Sequence, residues 1–159
     1  MLIHSWLQMK IQFAHDQHLR DVCKLLEVLN TEKRTFSDKK QNLFFITKQW
    51  WYIAVERGKI EGVMVLEPTD GSYKIHTLVS KQKGLGTLLV NWAIDICRKN
   101  NIPKLWCWSF TQYAAEGFYK KMGFAESFLL RKQWDGEDCY FFGKMINMDS
   151  KSTYKWFNF

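Results

Sequence analysis

Between Ser72 and Phe110 the apolar pattern changes period twice. "SYKIHTLVS" reads as a strand, then Leu85, Leu88, Leu89, Trp92, Ala93, Ile96 and Cys97 recur at i, i+3, i+4, i+7, i+8, i+11 and i+12, and "KLWCWSF" reads as a strand again. A stripe of that regularity buries one helix face, and Asn100, Asn101 and Pro103 stop it. Strands on either side of a crossover helix lie side by side and parallel, because the helix returns the chain to the end of the sheet it left. The sheet therefore needs at least one parallel pair.

The flanking segments supply the other elements. A first strand is expected at residues 10–14, and Asp16 can cap a helix whose stripe is Leu19, Val22, Cys23, Leu26 and Leu29. Ser37 or Asp38 can open a second helix through Phe44, Phe45 and Ile46. "WWYIAV" and "IEGVMVL", joined by "ERGK" with Gly58 in a tight turn, lead through "EPTDG" into "SYKIHTLVS" as an antiparallel meander. Beyond the fifth strand a helix is expected from about Gln112 to Met122, closed by Gly123 where a left-handed residue is needed. Two last strands, near residues 125–134 and 138–145, are joined by Asp135-Gly136. The order is β α α β β β α β α β β.

At 159 residues the chain has the size of one domain, expected over residues 1–146. Residues 147–159 form an aromatic and basic tail without a period, expected to cover a sheet edge. No run approaches the roughly 18 apolar residues of a bilayer-spanning helix. "MLIHSWLQMK" lacks the order of basic, apolar and small residues that marks a secretory signal. Cys23, Cys97, Cys107 and Cys139 lie inside apolar segments with no CxxC pair, which points to reduced, buried thiols and a cytoplasmic setting. The formal charge of +7 favours anionic partners, phosphate-bearing cofactors and nucleic acid among them.

Where the fourth strand runs into Gly84-Leu85-Gly86-Thr87, free backbone N–H groups face outward at the positive end of a helix about 24 Å long. Such a turn binds phosphate oxygens, and glycine lets the backbone approach the anion. A dinucleotide fingerprint would need a third glycine where Leu89 stands, and a Walker A loop would need Gly-Lys-Ser/Thr after four intervening residues. Neither is present.

A second segment, "QYAAEGFYKKMGF" from Gln112 to Phe124, gives the turn a context. Together the two segments resemble the GNAT superfamily of N-acyltransferases, in which Arg or Gln, two residues and Gly-x-Gly open the helix that binds the pyrophosphate of acyl-coenzyme A. Lys81, Gln82, Lys83, Gly84, Leu85 and Gly86 fall on that motif, with lysine at its first position. Downstream the family shows Asn, a pair of small residues and an aromatic-Tyr-x-x-x-Gly-Phe end, matched by Gln112, Ala114, Ala115, Phe118, Tyr119, Gly123 and Phe124. The resemblance implies an α/β fold: a mixed, mostly antiparallel sheet of six or seven strands, helices on both faces, and a parallel pair splayed at the centre. It also implies an enzyme that moves an acyl group, in the first instance acetyl from acetyl-coenzyme A, to an amine by direct attack. Leu78, Val79, Lys81, Gln82, Lys83, Gly84, Leu85, Gly86, Thr87 and Gln112 would hold the cofactor.

The same resemblance makes Tyr119 the acid that protonates the departing thiolate and a backbone N–H near Leu78 or Val79 the oxyanion donor. A lysine-like amine is neutral in only about one molecule in a few thousand at pH 7, a handicap of roughly 4 to 5 kcal/mol, so a base is needed. His76 has a suitable ordinary pKa, and Glu67 is the second candidate. In this family the first two helices line the acceptor side, where Lys33 and Arg34 here favour an anionic acceptor. Eight tryptophans leave open an acyltransferase acting on nucleic acid, and a non-catalytic binding module of the same fold is the third reading. No metal is expected, since His15 and His18 flank a helix start without a Cys/His pair to join them. The sequence leaves open whether the chain is a monomer or a homodimer.

Overall fold

The computed structural model describes residues 8–147. Residues 1–7 of the opening segment read for a leader, and the tail from residue 148, lie outside them. The elements are β1 (Met9–Phe13), α1 (Leu19–Leu26), α2 (Lys39–Thr47), β2 (Trp51–Glu56), β3 (Lys59–Thr69), β4 (Ser72–Ser80), α3 (Leu85–Lys99), β5 (Lys104–Phe110), α4 (Glu116–Lys121), β6 (Glu126–Trp134) and β7 (Glu137–Met145). The seven strands form one mixed sheet in the order β1-β2-β3-β4-β5-β7-β6, with β4 and β5 its parallel pair. No helix among the described residues is long and apolar enough to cross a membrane.

The described chain divides into two compact units, residues 8–65 with 77–89, and residues 66–76 with 90–147. In the first unit β1, β2 and β3 form an antiparallel ladder, and Arg57 (φ +49°) with Gly58 (φ +75°) makes the tight turn that matches strand twist. α2 opens where Asp38 accepts the Gln41 N–H at 2.7 Å. α1 opens differently from the expectation. Asp16 is not its cap; residues Asp16–His18 form a 3-10 turn, and His18 Nδ1 accepts the His15 N–H at 2.9 Å. Leu29 falls beyond the α-helix, in the 3-10 turn Glu27–Leu29.

The N-terminal turn of α3 is seated on β3 through an absence. A Cβ on Gly62 would stand 2.8 Å from Leu85 Cδ2 and 3.2 Å from Leu89 Cδ1, so only glycine lets these two fully buried leucines lie on the strand. This contact fixes where the helix begins, and with it the glycine turn before it.

In the second unit β5 pairs with β7 over its whole length, from Lys104↔Met145 to Phe110↔Cys139. β6 pairs outside β7. β7 carries buried Cys139, Phe142 and Gly143, whereas β6 has no buried position, so the more apolar strand takes the interior and the other the edge. The β4–β5 ladder is short. It joins Tyr73 to Leu105 and Lys74 to Trp106, and Ile75 and His76 do not continue it with Cys107 and Trp108. α4 is shorter than its sequence suggests: Thr111–Tyr113 is a 3-10 turn and Ala114 is left-handed (φ +51°), so the α-helix starts only at Glu116. Gly123 ends it at φ +83°, as expected.

Replacing Gly62 with valine should destabilise the fold by about 1–3 kcal/mol, because Leu85 and Leu89 have no room to retreat. A urea midpoint equal to that of the parent protein would show that α3 is not seated on this glycine.

Candidate active site

The glycine turn lies in the first unit. Gly84 has φ +88°, a conformation that side-chain-bearing residues resist. Two amides of the segment are already committed: Lys81 N–H to Glu61 O at 2.8 Å and Leu85 N–H to Gln82 O at 3.2 Å. Those of Gln82, Lys83, Gly84, Gly86 and Thr87 find no acceptor among the described residues, as the first turn of a helix requires. The cofactor-binding expectation for Leu85 is therefore corrected in part, since its side chain is fully buried against Gly62 and its amide is taken. Gln82 is fastened from behind, its Nε2 donating to Glu56 Oε2 at 2.9 Å. Its Oε1 is buried without a donor, which leaves an acceptor for a ligand N–H or O–H.

Beside this turn is a groove of about 570 Å³, lined by α1, the β2–β3 turn and the end of β4. Val79, Ser80 and Lys81 form one wall, and Lys24, Lys59 and Lys81 outnumber its one carboxylate, Asp21. The groove favours negative charge. The main-chain N–H cluster, the lysines and the orphaned Gln82 acceptor together suit a ligand that carries phosphates and amides.

In the second unit the period of two separates the strand residues cleanly. Ile75, Leu105 and Cys107 are buried on one face, while Lys74, His76, Trp106 and Trp108 are half-buried on the other. Tyr119 belongs to the buried side. Its ring stacks on Phe142 (centroids 4.9 Å, 22°) and meets Phe124 and Phe118 edge-on at 5.1 and 5.0 Å. Cys107 is its neighbour on that buried side. Burial first, then the neighbouring sulfur, pushes the phenol well above its ordinary pKa. Burial pushes the Cys107 thiol up to about 12. Cys107 was legible only as one more buried thiol. Nothing in the sequence ties it to Tyr119.

Glu67 is engaged, with Lys74 Nζ 2.9 Å from its Oε2, an ion pair rather than an aligned hydrogen bond. Lys74 also lies over the Trp106 ring at 5.5 Å. Gln112 is exposed in the 3-10 turn before α4. Lys33 and Arg34 stand in the first unit between α1 and α2, where the Arg34 guanidinium sits 5.2 Å over Phe36. Among the described tryptophans Trp51 is fully buried, Trp108 stacks on Trp134 at 5.1 Å and Trp106 on Phe141 at 5.6 Å, while Trp92 and Trp134 are exposed. Among the described residues no three His, Cys, Asp or Glu side chains gather in a way that could hold a metal ion.

Residues 19–124, more than half of the chain, match the acetyltransferase (GNAT) family. Among solved structures, Ard1 from Thermoplasma volcanium is similar at 18% identity and a TM-score of 0.76, over 87% of this chain and 98% of that one. The ribosomal-protein-S18-alanine N-acetyltransferase from Escherichia coli is similar at 19% identity and a TM-score of 0.72, over 92% and 99%. The PaiA N-acetyltransferase from Thermoplasma acidophilum, solved in complex with coenzyme A, is similar at 17% identity and a TM-score of 0.70, over 86% and 98%. These likenesses establish the fold. No curated protein sequence matches the chain.

The buried thiols make a testable link to stability. Cys97 and Cys107 ionise at about 12 in the folded chain against 9.0 when unperturbed, so the unfolded chain sheds their protons first. Stability present below pH 9 should be lost as pH rises toward 12, by ~1.4 kcal/mol per pH unit for each thiol. Urea midpoints between about pH 9 and 11 should therefore fall, and Cys97→Ala should flatten the decline. An identical slope in that variant would contradict the assignment.

Proposed function

The chain belongs to the acetyltransferase (GNAT) family, and on that premise we propose that it transfers an acetyl group from acetyl-coenzyme A to an amine, with Tyr119 as the acid. The start of α3 carries this reading. Five main-chain N–H groups without acceptors, at the positive end of a 15-residue helix, suit a diphosphate better than any uncharged ligand. Gln82, Lys83, Gly84, Gly86 and Thr87 would hold it through the main chain, with the side chain of Lys81 adding charge. When bound, the cofactor supplies an acetyl thioester open to attack by nitrogen. The coenzyme A complex of the PaiA relative supports the same choice of ligand.

The residues divide the proton work by face. His76, on the half-buried face of β4, takes the surplus proton of the amine on its imidazole. Glu67 holds Lys74 beside that face rather than acting on the amine itself. Tyr119 Oη, on the opposite face, gives its proton to the leaving sulfur. Its raised pKa keeps the phenol protonated at any physiological pH. A main-chain N–H at Leu78 or Val79 receives the oxyanion.

The acceptor follows from charge. Residues 30–40 carry Lys33, Arg34, Lys39 and Lys40 against Glu32 and Asp38, a surplus that supports an acceptor bearing negative charge. Incubating the protein with acetyl-coenzyme A and a panel of small amines, peptides with free N-termini and oligonucleotides, read by mass spectrometry, should give an acetylated amine. Tyr119→Phe should lower kcat by about 10²- to 10⁴-fold while leaving cofactor affinity unchanged. Product in no arm, or full turnover without the phenol, would overturn the proposal.

A further inference from the structure

The row at which β4 and β5 part is also the row at which their side chains are tied together. Lys74↔Trp106 is the last β4–β5 pair, and the two side chains meet on the half-buried face, with Lys74 Nζ 5.5 Å from the centre of the Trp106 ring. Ser72 lies two residues earlier on β4 and so on the same face. The Trp106 Nε1–H donates to Ser72 Oγ at 2.8 Å, and the Ser72 hydroxyl donates in turn to Thr69 O at 2.8 Å. One indole thus bridges two successive same-face residues of the neighbouring strand.

Both ends of this tie are anchored. Phe141 of β7 stacks on Trp106 (centroids 5.6 Å, 25°). From β3, Glu67 holds Lys74 at 2.9 Å, with the two side chains 22% and 16% exposed. Glu67 Oε2 is buried without a hydrogen-bond donor among the described residues, so the Lys74 ammonium is what offsets its charge. Removing either partner leaves the other charge half-buried and uncompensated. Phe141, Trp106, Lys74 and Glu67 therefore form a belt across β7, β5, β4 and β3 where the ladder stops.

We propose that Ser72, Lys74 and Trp106, with Glu67 behind them, are positioning residues that fix the point at which β4 and β5 part. A parallel ladder of two pairs has little hold of its own, and without side-chain ties it would fray back toward Tyr73 and Leu105. The belt holds the last pair closed, so the opening always begins one residue later, at Ile75 and Cys107. The inference rests on the proposed acetyl transfer. His76, two residues beyond Lys74, takes the proton of the amine there, and the N–H of Leu78 or Val79 receives the oxyanion, so a retreat of the parting point would displace both. A misplacement of about 1 Å is enough to slow a reaction about 100-fold. The diphosphate is held by the amides at the start of α3 instead, so loss of the belt should reach kcat and spare cofactor affinity.

Two kinds of measurement separate the belt from the reaction. Without cofactor, amide hydrogen exchange followed by NMR should show the β4–β5 ladder amides exchanging about 10-fold faster in Ser72→Ala and Lys74→Met than in the parent, with the β5–β7 ladder amides within about twofold. In turnover with acetyl-coenzyme A and the best amine of the acceptor panel, Lys74→Met and Glu67→Gln should each lower kcat about 10- to 100-fold, with coenzyme A affinity within about twofold of the parent. Lys74→Arg, which keeps the charge and its place over the ring, should recover most of the loss, and the Lys74→Met/Glu67→Gln double variant should cost little more than either change alone. Retained β5–β7 protection certifies that each variant is folded. Equal acceleration of both ladders, or exchange indifferent to every variant, would overturn the inference. If the parent forms no acetylated amine, the acetyltransferase reading fails and the positioning role with it. If the parent turns over and Lys74→Met keeps its kcat, only the belt fails.

Discussion

Two parallel strands that part after two residue pairs are the constraint on which the proposed chemistry depends. A ladder that ran on from Tyr73↔Leu105 and Lys74↔Trp106 would satisfy the strand backbones and close the sheet. Because it stops, β5 goes on from Cys107 without β4 as its partner there, while β7 still holds its other edge from Lys104 to Phe110. β5 is thus held along one edge. Period-two alternation places His76 on the half-buried face, and Cys107 with Tyr119 on the buried one.

The second requirement is a fixed origin for α3. Gly62 lets Leu85 and Leu89 sit on β3, and Gly84 turns the chain into the helix at φ +88°. Glu61 and Glu56 fasten the turn from behind, through the Lys81 amide and the Gln82 side chain. What remains unfastened is a row of amides at a helix start, the arrangement that binds phosphate with least reorganisation. The Glu61 carbonyl and the Gln82 side chain hold the turn while the amides of Gln82, Lys83, Gly84, Gly86 and Thr87 stay without an acceptor among the described residues.

Much of this was legible in the chain. The seven-position stripe from Leu85 to Cys97 marks α3, and the paired turn residues at Arg57-Gly58 and Asp135-Gly136 mark two hairpins, because each signal is local and strong. The GNAT membership was legible from the two motif segments together. The failures are those of competition between local and tertiary preference. The start of α4 was misplaced because Ala114 takes a left-handed conformation that alanine does not advertise. The α1 start was assigned to Asp16, whereas a histidine ring accepts the decisive N–H. The insertion of β7 between β5 and β6 depends on which strand has more to bury, and the packing of Tyr119 among Phe118, Phe124 and Phe142 depends on tertiary structure. Neither has a sequence signature.

The direct test of the central claim is amide NMR of the uniformly labelled chain titrated with coenzyme A. The N–H signals of Gly84, Gly86 and Thr87 should move furthest at saturation, with that of the hairpin glycine Gly136 unmoved as an internal control. Saturable binding that leaves those three amides in place, or no binding at all, would contradict a phosphate cradle at the start of α3.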